Sequence, residues 1–149
     1  MILKKQLLES CKSFVNERLQ TVQQTISSNQ KALASEAKSS AGDKHETGRA
    51  MLQLEMEKAS QQLAGISEMN TILSKINTSK TSKVAHLGSI IYTNIGAYFL
   101  SISAGKILID NNEYFAVSVS SPIGRILLGK QEKQSELLNN KNIHITKIE

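Results

Sequence analysis

In the first half of the chain, apolar residues recur at a helical spacing. Val15, Leu19, Val22, Ile26, Asn29 and Leu33 follow at steps of four, three, four, three and four, and Leu8 extends the stripe backward. This is a heptad seam with one polar member, Asn29, of the kind that fixes register. A second seam runs through Leu52, Met56, Ala59, Leu63, Ile66 and Leu73, with Asn70 at the skipped position. Between the two lies the polar stretch 38–46, where Gly42 can stop one helix and Asp43 can start the next. Two helices of similar length joined by a short polar turn predict an antiparallel coiled-coil hairpin. Each arm of ~30 residues would span ~45 Å at the helical rise. A homodimer built on the same seams is the competing arrangement.

After Ser82 the period changes. Ser89–Thr93, Tyr98–Ser103, Ile107–Ile109 and Tyr114–Val119 are β-branched or aromatic segments separated by turn formers. Ser121-Pro122 opens a short helix, with Ser121 able to cap and Pro122 at the first helical position, and Gly129 closes it. A last hairpin, Glu136–Leu138 and Ile143–Ile148, turns through Asn139-Asn140-Lys141. The expected class is α+β: a coiled-coil hairpin over 1–78, a linker at 79–83, and a small antiparallel sheet with one helix over 84–149.

Composition supports the division. All three Tyr, two of three Phe, the single Pro and most of the Gly belong to the second part, and no Trp occurs. The net charge of +5 divides as +2 for residues 1–78 and +3 for 79–149, so neither part is a concentrated polybasic module. One Cys excludes a disulfide framework and a multi-Cys zinc site, and fits a reducing compartment. The start lacks a signal peptide's apolar run, and no stretch approaches the ~20 apolar residues of a membrane helix. A soluble, cytoplasmic protein is expected.

Candidate chemistry concentrates at the hairpin turn. Asp43 and Glu46 are three residues apart at a helix start, so both carboxylates can face the end of the turn. Two such oxygens can share a hard cation such as Mg²⁺ when another molecule completes the coordination. The same spacing is also a capping box. His45 lies between them, but one His with two carboxylates is a poor transition-metal set. Lys38, Lys44 and Arg49 surround the tip; they can touch phosphates or simply solvate a helix face. Cys11, on or beside the first seam, reads as a small buried hydrophobe, since neither His86 nor His144 completes a triad with it. Gly124 to Lys130 lacks the Ser/Thr of a phosphate loop and ends a helix rather than opening one.

Two segments resemble a known family. Ala41-Gly-Asp-Lys-His-Glu46 resembles the "GD-x-x-E" tip of the bacterial Gre transcript cleavage factors, and Ser120 to Lys130 resembles the "SPI-x-R-x-L-x-GK" segment of their C-terminal domain. Their order, with a helical hairpin around the first and a β domain around the second, extends the resemblance over nearly the whole chain. It implies an FKBP-like C-terminal domain without isomerase activity, docking on RNA polymerase around Ser120, Ser121, Pro122, Ile123 and Gly124. It implies a hairpin inserted into the polymerase secondary channel, with Asp43 and Glu46 helping to hold a Mg²⁺ shared with the polymerase. The nascent RNA 3′ end is then hydrolysed by the polymerase. The chain is thus expected to be an accessory factor rather than an enzyme, a monomer that holds no ion when free. Thr47 and Gly48 follow Glu46 where the family carries Asn and, soon after, Tyr. A channel-binding regulator without cleavage activity and a coiled-coil adaptor are the alternative functions.

Overall fold

The computed structural model describes the backbone of residues 2–38 and 42–149 and the side chains of residues 2–35 and 47–149. Two long helices come first, α1 (Ile2–Lys38) and α2 (Gly42–Ser74). Their 37 and 33 residues correspond to about 55 and 50 Å of helix. They form the expected hairpin. α2 already includes Gly42, so this glycine opens the second helix instead of stopping the first. No described helix is long and apolar enough to cross a membrane.

The chain divides into two compact units, one of Val15–Met69 and one of Met1–Phe14 with Asn70–Glu149. In the first, Val15, Val22 and Asn29 of α1 and Ala59 and Ile66 of α2 are buried, as a narrow seam requires. Asn70, expected on the second seam, is exposed, and Met69 is the partly buried residue there. The step from Ile66 to Leu73 divides as three plus four rather than four plus three. Either division keeps the heptad, and the one observed buries a thioether instead of an amide.

The second unit is a six-stranded sheet with both faces covered. Its strands are β1 (Ile90–Thr93), β2 (Gly96–Ser101), β3 (Gly105–Ile109), β4 (Asn112–Ser118), β5 (Ser135–Leu138) and β6 (Lys141–Ile148), in the order β3-β4-β2-β1-β6-β5. The sheet is mixed rather than purely antiparallel. β4 returns from β3 by a hairpin and inserts beside β2, which makes the β2–β4 pair parallel. Asp110-Asn111 and Asn139-Asn140 both take positive φ, the primed two-residue turn that matches strand twist.

The short helix α3 (Pro122–Leu127) lies over one face, where Ile91, Leu100, Leu127, Ile143, Ile145 and Ile148 form a core. A bulge makes this possible: Tyr92 pairs with Lys147 but Thr93 pairs with Ile145, so Thr146 is the extra residue. Ile145 and Ile148, three apart, therefore share a face. The opposite face presents Ile90, Phe99 and Ala116, all buried. The first turns of α1 cover it, with Leu7 and Cys11 fully buried and Cys11 Sγ 3.7 Å from Ser101 Oγ.

Candidate functional site

The tip residues fall where the two long helices meet. Asp43 and Glu46 belong to the opening turns of α2, as does Lys44, while Lys38 is the last residue of α1. The side chains of these four and of His45 lie outside the described residues. With Gly42 already helical, Asp43 sits inside the helix, not at the N-cap position that a capping box needs. The two positions remain three apart on one helix and so share a face. The donor set suits Mg²⁺, a hard cation that takes one or two carboxylates and fills its remaining positions from elsewhere. Arg49 is exposed one turn further along α2.

The Ser-Pro segment is built as its sequence predicts. Ser121 has extended backbone (φ −70°, ψ 159°) and caps α3: its Oγ accepts from Gly124 N–H at 3.1 Å. The same hydroxyl donates to Ser118 C=O at 2.6 Å, locking the turn to the end of β4. Gly124 is required by contact, since a Cβ there would stand 1.9 Å from Ser118 O. Ile123 packs on the core under α3. Of the five residues assigned to docking, Ser120 and Pro122 are thus the exposed ones, while Ser121, Ile123 and Gly124 shape the segment that presents them. Gly129 ends α3 with φ +83°, and Lys130 beyond it pairs with Glu136 at 2.9 Å. This geometry opposes a phosphate loop, which would precede a helix.

No family model matches the chain, and no curated protein matches it.

Two arrangements in the sheet unit resemble reactive sites and are not. His86 Nδ1 lies 2.9 Å from Ser89 Oγ, but that hydroxyl is fully buried and also accepts the His86 backbone N–H. It closes a turn and reaches no substrate. The Cys11 thiol is pushed up in pKa by burial, which leaves it protonated and unreactive.

A polar cluster escaped the sequence reading. Lys4 has no exposed surface, and its Nζ donates to Lys80 C=O at 2.8 Å. Burial holds its pKa below the usual lysine value, against an opposing pull from Glu149. Tyr92 Oη donates to Glu149 Oε2 at 2.9 Å, Lys147 Nζ lies 2.8 Å from Glu149 Oε1, and Lys147 sits 5.7 Å from the centre of the Tyr92 ring. Burial, then the Glu149 carboxylate, raises the Tyr92 pKa, so the phenol remains a donor. Register was the signal that could have found Lys4. It continues the first seam backward from Val15 through Cys11 and Leu8 at helical steps, in a place where a lysine is unexpected.

Proposed function

We propose that the chain is a Gre-like RNA polymerase-binding factor. Its hairpin enters the secondary channel, and Asp43 and Glu46 lend carboxylate oxygens to a Mg²⁺ held jointly with the polymerase. The bound ion supplies the Lewis acidity for phosphodiester hydrolysis of a backtracked RNA 3′ end. The chain's own residues contribute reach, through helices of 37 and 33 residues, and two acids in the opening turns of the second. Lys38, Lys44 and Arg49 offset the charge of those acids and face RNA phosphates. Ser120 and Pro122, held by the Ser121 cap, meet the polymerase rim.

The observation that carries this reading is the coupling of a two-helix hairpin, acids in the opening turns of its second helix, to a sheet unit bearing a capped Ser-Pro helix. The decisive experiment uses backtracked elongation complexes. Wild-type protein should shorten the RNA 3′ end in a Mg²⁺-dependent way, and Asp43→Ala/Glu46→Ala should lose at least ~10²-fold of that rate, as expected for removing charge stabilisation at a reacting phosphate. Identical RNA lengths with both proteins would reject the cleavage role.

A second reading keeps the binding and drops the chemistry. It is favoured by Thr47 and Gly48 at the tip, where no aromatic side chain follows Glu46. Stoichiometric binding to polymerase, with RNA lengths unchanged and nucleotide addition slowed, would select it.

A further inference from the structure

The charge of this protein is distributed by compact unit, not by sequence half. Met1–Phe14 with Asn70–Glu149 holds twelve Lys and Arg against six Asp and Glu, a net +6, whereas Val15–Met69 holds six against seven, a net −1. Within the basic unit, no Asp or Glu occurs from Asn70 to Ile109, a run with four lysines. Three of these, Lys75, Lys80 and Lys83, stand exposed on the segment that follows α2.

The fold shapes that segment. Lys80 N–H donates to Asn77 C=O, and Asn77 Oδ1 accepts from Ser79 N–H, which folds the loop into a turn. Lys4 holds this turn from behind through Lys80 C=O. An isolated antiparallel bridge between Val84 and Gln131, next to the Ala85 N–H bond to Lys130 C=O, anchors the end of the segment.

We infer that Lys75, Lys80 and Lys83 form a docking surface for the phosphate backbone of nucleic acid, read without regard to sequence. Three observations favour this partner over a protein or a membrane. Every cation is Lys, interspersed with Ser79, Thr81 and Ser82, the side-chain set that contacts phosphate oxygens. Protein interfaces instead enrich Arg and aromatics and deplete Lys. Within residues 75–83 the one large apolar side chain, Ile76, is buried, so the loop offers nothing to insert into a bilayer. No aromatic or Arg lies on this segment to stack on or read a base, which leaves charge alone to act. The inference concerns the free protein and does not depend on the polymerase reading.

The test is anisotropy of a labelled single-stranded oligonucleotide, titrated with the full chain over a range of KCl. Binding should weaken with salt at about 0.7 in log–log slope for each phosphate engaged. Lys75→Gln/Lys80→Gln/Lys83→Gln should lower affinity on the order of 10–100-fold at ~0.1 M salt and make the slope shallower by about 2. All three side chains are exposed, so an unchanged thermal midpoint should confirm the fold. A charge-matched control, Lys31→Gln/Lys58→Gln/Lys141→Gln, should retain near wild-type affinity and slope. Equal losses in both variants would overturn the inference, as would binding to polyglutamate or to phosphatidylserine vesicles as tight as to the oligonucleotide.

Discussion

Lys4 shows how a single residue ties sequence to pH response. A lysine with no exposed surface keeps its stem in a core and its amine on one carbonyl. Its folded-state pKa lies below the ordinary value of 10.5 because burial disfavours the charged form. The unfolded chain therefore binds more protons between the two values, and stability rises with pH across that window. Below the folded-state value, the cost of burying the charge is present in full. Lys4→Met keeps the length of the side chain and removes the amine. Unfolding free energies from urea titration should then match wild type within about 1 kcal/mol at neutral pH, because buried ion contacts are close to neutral against an apolar isostere. The variant should lack the wild-type gain in stability as pH approaches 10.5. An equal alkaline gain in both proteins would mean that another group produces it.

At the scale of elements, the hairpin carries one deliberate imperfection. Asn29 is buried in the seam, and its Nδ2 finds no partner. A buried amide without a partner costs about 1–3 kcal/mol, a cost that coiled coils accept at single positions to fix register. Asn29→Leu should raise the unfolding free energy by about 1–2 kcal/mol in chemical denaturation, with the denaturant slope unchanged. Cysteines placed at facing seam positions should also crosslink at more than one register in the variant and at one register in wild type. A destabilised Asn29→Leu would show that the amide has a partner in solution.

The elements were legible in the sequence to differing degrees, for physical reasons. Period fixes helices and strands, so both long helices, all six strands and the Ser121 cap could be read directly, apart from Asn70, whose expected place in the second seam Met69 takes. The Asn-containing hairpin turns were equally plain, because few residues accept positive φ. Two features were not legible. The parallel β2–β4 pair depends on which strand β4 lies beside, a long-range choice that alternation does not encode. The Thr146 bulge reverses facing at Ile148, and only pairing with β1 reveals it. Asp43, Glu46 and the Ser-Pro segment were found as motifs. The lysines of residues 75–83 are diluted in a charge summed along the chain and stand out only when the charge is summed by compact unit.

At the scale of the molecule, the division into units predicts which fragments fold. The boundary suggested by composition, near residues 79–83, would make 84–149 a free-standing domain. In the fold, the sheet face bearing Ile90, Phe99 and Ala116 is covered by Leu7, Cys11 and their neighbours from the start of α1. Removing the helices would return that face to water, at roughly 1.5–3 kcal/mol for each large side chain exposed. A small domain with a margin of about 5–15 kcal/mol does not survive the loss of several such contacts. Residues 84–149 expressed alone should therefore give no cooperative thermal transition. A chain joining 1–14 to 70–149 through a short Gly/Ser loop retains both covered faces and the Lys4 contact to Lys80. It should unfold in one cooperative step, with dispersed amide resonances. If 84–149 alone melts cooperatively at the same midpoint as this joined chain, the start of α1 contributes nothing to the sheet core and the boundary lies at the linker after all.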